Sequence, residues 1–125
     1  MEETMKENVL NNILKDINSA IGLTINFNCH SKPNYWHIGY ITNYAWDKEK
    51  EEVYELHMEL ITKQGSEVVN VELLGEVEVD DIYGVDIADT NDIQELNTLV
   101  EQKRLEDRYK TQFKALCTLL FNSLI

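Results

Sequence analysis

The feature that most constrains this chain is a change in hydrophobic period. Apolar residues recur every three or four positions up to Ile21, every second position from Leu23 to Ile87, and every three or four again from Ile93 onward. A period near 3.6 belongs to one face of a helix and a period of two to one face of a strand. The chain is therefore expected to form a helix, then a run of strands, then a second helix.

In the first segment Met5, Val9, Leu10, Ile13, Leu14, Ile17 and Ile21 make the apolar stripe, while Glu7, Asn11, Lys15 and Asn18 fill the other face. Gly22 follows the last apolar residue, where a glycine can adopt the left-handed conformation that closes a helix. This predicts a helix over residues 3–21. From Leu23 the alternation of Leu23, Ile25 and Phe27 with Thr24, Asn26 and Asn28 predicts a half-buried strand. CHSKPN holds the only proline and reads as a turn. YWHIGYITNYAW, rich in aromatic and β-branched residues, is a second strand with Gly39 as its bulge or bend. Alternation places Trp36, Ile38 and Tyr40 on one of its faces and His37, Gly39 and Ile41 on the other. DKEKEE is a charged hairpin loop, and Tyr54, Leu56, Met58 and Leu60 form one face of a third strand that turns at KQGS. In a fourth, Val69, Val71, Leu73, Val77 and Val79 are expected to face inward, and DDIYGVDI supplies a turn and a fifth strand. Five strands joined by short turns make an antiparallel meander, either strongly bent or curled into a small barrel that hides its edges. The expected class is α+β.

The last third returns to helical spacing. Thr90 or Asn91 is the expected cap, Ile93, Leu96 and Leu99/Val100 begin a stripe, and Leu105, Tyr109, Phe113, Leu116, Leu120 and Leu124 continue it. Between Val100 and Leu105 the polar EQKR makes the stripe slip by one position. Either one helix of about 34 residues runs about 50 Å, further than a small sheet can cover, or the helix breaks near residue 103 and both halves pack on one core. The ending ALCTLLFNSLI is apolar nearly all round, which demands burial on more than one side. We expect Tyr109, Phe113, Leu116, Leu120 and Leu124 to meet a second copy of the chain, with an internal core helix as the alternative. At 125 residues the chain is one domain, divided into residues 1–22, 23–88 and 89–125.

Charge narrows the function classes. Residues 47–95 carry sixteen acids and three bases, whereas residues 1–46 carry four and three, and residues 96–125 carry three and five. Almost all of the net charge of −12 therefore sits in the strand region. An acidic folded surface repels nucleic acid and anionic lipid and steers basic partners toward it. The C-terminal bases Lys103, Arg104, Arg108, Lys110 and Lys114 are expected to be solvated or paired within the chain. No apolar run approaches the roughly 20 residues that span a bilayer, and no leader pattern opens the chain. The expectation is a cytoplasmic protein without membrane contact.

No motif specifies a reaction. Cys29 and Cys117 lie 88 positions apart without a third cysteine, which supports neither a disulfide framework nor a zinc site. A thiol mechanism using Cys29 with His30 or His57 has nothing to orient it. Asp80 and Asp81 suit a turn better than a metal, and no glycine-rich phosphate loop opens a helix. We expect no enzyme activity and no cofactor. The sharpest pattern is an acidic ladder. Glu55, His57 and Glu59 project from one strand and Glu72, Leu74, Glu76, Glu78 and Asp80 from the next, so carboxylates repeat at about 6.6–6.8 Å. Such rows can imitate the phosphates of a nucleic acid, and bases are rarer among them than solubility alone would leave. Tyr44 and Trp46 run into the charged loop, where aromatic side chains can anchor a partner.

The TINF strand, HIGYITNYAWDKEKEEVYEL with Gly39 and Ile41 at a G-x-I turn into a long bent strand, and the closing VEVDDIYGVDI carry a family resemblance. Over residues 23–87 the chain resembles small SH3-like and Sm-like barrels, most nearly the YolD-like proteins of Gram-positive bacteria. It departs from them in lacking their basic N-terminal segment with its Trp and Phe, and in adding a long C-terminal helix. The resemblance implies a small barrel and a non-catalytic accessory or adaptor protein connected with DNA transactions.

The leading expectation is thus a protein-binding module that engages a basic surface of a nucleic-acid-handling partner, as an inhibitor or nucleic-acid mimic encoded by a phage or mobile element. Glu55, Glu59, Glu72, Glu76 and Glu78 would supply charge, with Tyr44 and Trp46 as anchors. The alternatives are a YolD-like accessory protein, a structural homo-oligomer built through the C-terminal helix, and a small enzyme or ligand-binding barrel using Cys29, His30 or His57.

Overall fold

The computed structural model describes residues 2–123, with side chains from Val9 to Ser123. Helices α1 (Glu2–Lys15) and α2 (Ile17–Ala20) precede β1 (Thr24–Cys29), β2 (Trp36–Asp47), β3 (Glu52–Gln64) and β4 (Glu67–Glu78). A 3-10 turn (Val79–Asp81) leads into β5 (Ile82–Ile87), and α3 (Thr90–Ser123) follows. This is the α+β order that the change of period predicts. No helix among the described residues is long and apolar enough to cross a membrane.

The N-terminal helix is two pieces instead of one. Asp16 has φ −134° and ψ 63°, outside the helical region, yet Ile13, Ile17 and Ala20 are all buried, so the break redirects the chain without losing its apolar face. Gly22 has φ +96°, the conformation expected of a closing glycine. The side chains of Met5 and Glu7, and Leu124, lie outside the described residues.

The strands form one antiparallel sheet in the order β4-β3-β2-β1-β5. The β3–β4 hairpin turns through Gly65 and Ser66; Gly65 has φ +60°, which a glycine adopts without strain. Bends come from residues inserted in one strand of a pair. Thr42 is extra in β2 between the pairs Ile41–Met58 and Asn43–His57, and Val69 is extra in β4 between Asn70–Thr62 and Val68–Lys63. A further insertion falls at Leu73–Leu74, between Gly75–Met58 and Glu72–Leu60. Each insertion bends its strand and reverses which face the following side chains take. Gly39 is not the bulge. It sits in register opposite Ile25 and Leu60, and a Cβ there would collide with Met58 Sδ and press on Leu60 and Phe27 at 3.3 Å. Close packing explains this glycine.

The sheet is covered on both faces. On the first face Ile13, Ile17 and Ala20 pack on Ile25, Phe27, Ile41, Leu56 and Met58. On the second, Ala88, Leu96 and Val100 pack on Ile38 and Ile61, with Trp36, Tyr40 and Leu73 at the margin. Asp89, rather than Thr90 or Asn91, caps α3: its Oδ1 accepts the amide of Asp92 at 2.8 Å. Thr90 is the first helical residue, and an N-cap side chain bonds the amide three positions on. From there α3 runs unbroken for 34 residues. EQKR does not interrupt it, because Glu, Gln, Lys and Arg are all strong helix formers. A polar stretch rotates the apolar stripe without ending the helix.

Candidate functional site

Only the first third of α3 lies on the sheet. Leu96 and Val100 are buried, whereas beyond Val100 every described residue except the partly covered Lys103 is exposed. Past the Arg104–Glu59 contact, residues 105–123 thus project about 28 Å from the body. Leu105 is nine residues beyond Leu96, two and a half turns at about 3.6 residues per turn, so the distal stripe begins on the side opposite the buried one. Tyr109, Phe113, Leu116 and Leu120 continue it at 68, 70, 53 and 56% exposure. The structure brings these four sequence-selected residues together on one helix face. Leu119 and Phe121 stand exposed beside them; the near-continuous apolar ending was their signal. At the root of the stretch an open groove runs between α3 and Leu73 of β4, bordered by Leu105, Arg108, Tyr109, Gln112 and Ala115.

The acidic ladder is divided by the sheet's irregularities. Glu55 pairs with Glu78 and His57 with Glu76 across β3 and β4, so these four side chains share the second face. Leu56 and Val77, paired between them, belong to the core on the first face. Glu72 pairs with Leu60, which belongs to that first-face core. The insertion at Leu73–Leu74 therefore places Glu72 on the opposite face from Glu76 and Glu78. It also leaves Leu74 protruding at 91% exposure. The same effect in β4 turns Val69 outward and Val68 toward the second core, reversing the expected parity at that end.

Part of the acid is neutralised within the chain. Arg104 pairs with Glu59 and reaches Glu101 at 3.6 Å. The buried Lys63 ammonium lies 2.6 Å from Glu95 and 4.8 Å from the Trp36 ring centroid, so two cation–carboxylate contacts hold α3 to the sheet. The expectation of intramolecular pairing for the C-terminal bases holds for Arg104, and for Lys103 with Asp107 at 3.9 Å. His57 Nε2 lies 2.7 Å from Glu55 Oε1. Glu55, His57 and Glu76 each offer one ligand atom, all within 4.8 Å of one another. This convergence appears only once β3 and β4 are in register.

Tyr44 and Trp46 do not join that surface. The insertion at Thr42 turns Tyr44 to the first face, where its ring packs on the α1–α2 core and its hydroxyl donates to Asn18 Oδ1 at 3.2 Å. Trp46, opposite Val53, is half exposed beside Leu14, Lys15, Val79 and Asp80. The aromatic pair and the Glu76–Glu78 row are on opposite faces.

Nor are the candidate thiol and its bases brought together. Cys29 is buried in the first-face core, and burial, then the Asp81 carboxylate, push its thiol up to about 11, which keeps it protonated. His30 stacks on Tyr83 with centroids 4.4 Å apart, and His57 is on the far side of the sheet. Asp81 receives the backbone amide of Ser31 at 2.8 Å and the Ser31 hydroxyl. Those bonds hold its carboxyl below the ordinary range, and they tie the 3-10 turn to the loop after β1.

No family model matches the sequence, and no curated protein matches it. Among solved structures, the chain is similar to an Sm-like protein from Archaeoglobus fulgidus. The match is 12% identical, covers 58% of this chain and 88% of that one, and has a TM-score of 0.43. That is a weak Sm-like resemblance.

Proposed function

We propose that the chain is a protein-binding module: an acidic α+β body that carries its docking element on the projecting part of α3. One observation supports this above the others, the apolar stripe of Tyr109, Phe113, Leu116 and Leu120 on a stretch that the body does not cover. A helix that stays in water on all sides is polar all round, and contiguous apolar patches of several hundred Å² mark interaction sites. Phe113→Asp is the test. It is expected to abolish association through α3 while leaving the body's circular dichroism and thermal midpoint unchanged; retained association would remove the reading.

A second reading is favoured by Glu76 and Glu78, which are exposed and lack a cation within ion-pair distance among the described residues. With Glu55 they present acid on one face, suited to a basic surface on a nucleic-acid-handling protein. An inhibitor from a phage or mobile element, or a YolD-like accessory protein, would use such a face. Glu76→Lys with Glu78→Lys should then slow association with the partner, and the wild-type rate should fall with added salt. A rate indifferent to both changes would dismiss it.

A further inference from the structure

Resting on the reading of α3 as a docking element, we infer that its occupant is a second copy of this chain, paired antiparallel through residues 105–123. The first ground is area. Tyr109 and Phe113, aromatic side chains that each bury about 150–250 Å² when fully covered, are here about two-thirds exposed, and Leu105, Leu116, Leu119 and Leu120, on the stripe or at its edge, are 40–66% exposed. Together they offer on the order of 600–700 Å² of apolar surface per chain, close to the roughly 800 Å² per partner of a stable interface.

The second ground is that the stripe is complementary to itself. Tyr109, Phe113, Leu116 and Leu120 follow the alternating four- and three-residue spacing of a coiled-coil seam. Run antiparallel, Tyr109 faces Leu120 of the second copy and Phe113 faces its Leu116, and the two-fold axis repeats both layers. Each layer sets a large ring against a leucine, the interdigitation that a two-fold interface needs.

Charge decides the direction. All the charges of the projecting stretch lie between Glu101 and Lys114, while residues 115–123 carry none. Antiparallel pairing lays Arg108 and Lys110 beside that uncharged end. Parallel pairing would set Arg108 and Lys110 each beside their own copies and bring two strongly acidic bodies together, while Lys114, at the two-fold axis, meets its copy in either direction. In the antiparallel register the two Val100 positions are roughly 40 Å apart along the axis, well beyond the ~10 Å screening length. The groove between Leu73, Leu105 and Tyr109 then lies where the second copy's Leu119–Phe121 tip arrives.

Sedimentation equilibrium of the full chain, with Phe113→Asp and Leu120→Asp beside it, tests the pairing. Dimeric wild type and monomeric variants with unchanged circular dichroism are expected; wild type monomeric throughout the micromolar range would overturn the inference. Direction is read by oxidative cross-linking to the native, exposed Cys117. Lys110→Cys should form the intermolecular disulfide and Gln112→Cys should not, whereas the reverse result means parallel helices and overturns it. A monomeric wild type that still binds another protein, and loses it on Phe113→Asp, would overturn the second copy alone and leave the docking helix standing.

Discussion

Acidification from about pH 6.5 to about pH 4 is expected to destabilise the protein through His37. Its ring is 2% exposed and stacks on Phe27 with centroids 5.1 Å apart; Nδ1 lies 3.0 Å from Thr62 Oγ1, and Nε2 has no partner. Burial first, then the positive charge of Lys32, lower its pKa from 6.5 to about 4. The unfolded chain takes up a proton on this ring near pH 6.5 while the folded chain refuses it until near pH 4. The unfolded state therefore binds more protons across that window, and stability is lost as pH falls through it. At about 1.36 kcal/mol per pKa unit, the loss between about pH 7.5 and about pH 4.5 is about 2–3 kcal/mol, a large part of a typical total of about 5–15 kcal/mol. Urea unfolding followed by tryptophan fluorescence, at both pH values and for wild type and His37→Phe, isolates the effect, because the carboxylates contribute equally to both proteins. Wild type should lose about 2–3 kcal/mol more than the variant. Equal losses would mean that the ring is reached by water or finds a partner for its proton, and would refute the argument.

Other perturbations test the packing and the capping. Gly39→Ala forces a methyl against Met58, Leu60 and Phe27 and should cost about 1–3 kcal/mol in chemical denaturation; an unchanged midpoint would show that Met58 moves aside freely. Asp89→Ala removes the cap of α3 and should cost about 1 kcal/mol, while Thr90→Ala and Asn91→Ala should each cost less. A larger loss at Thr90 would relocate the cap.

The classes of element were legible because each rests on local chemistry. The strand stripes at Ile25–Phe27 and Leu56–Leu60 and the helical stripe through Leu96 are periodicities, and a periodicity survives wherever the element packs. The two faces of β2 were legible from Trp36 to Ile41 and ceased to be so at Thr42, where one inserted residue reversed them. A bulge leaves little trace in composition, since it depends on how two strands twist against each other. For the same reason the acidic row read as one surface along β4 is two, with Glu72 on one side and Glu76 and Glu78 on the other. Gly39 was legible as special and misread as a bend; the atoms that require it belong to Met58 and Leu60, about 20 positions away.

By itself the sequence determined the order helix, five strands, helix, the acidity of the middle, and an apolar stripe along the C-terminal helix. These follow from side-chain spacing and charge, which need no knowledge of neighbours. Tertiary structure alone decided that α3 stays whole through EQKR, that Arg104 and Lys63 spend their charge on Glu59 and Glu95, and that Tyr44 and Trp46 turn away from Glu76 and Glu78. Each of those outcomes depends on which surface lies opposite a residue, and strand register and helix rotation set that surface only once the whole sheet has formed.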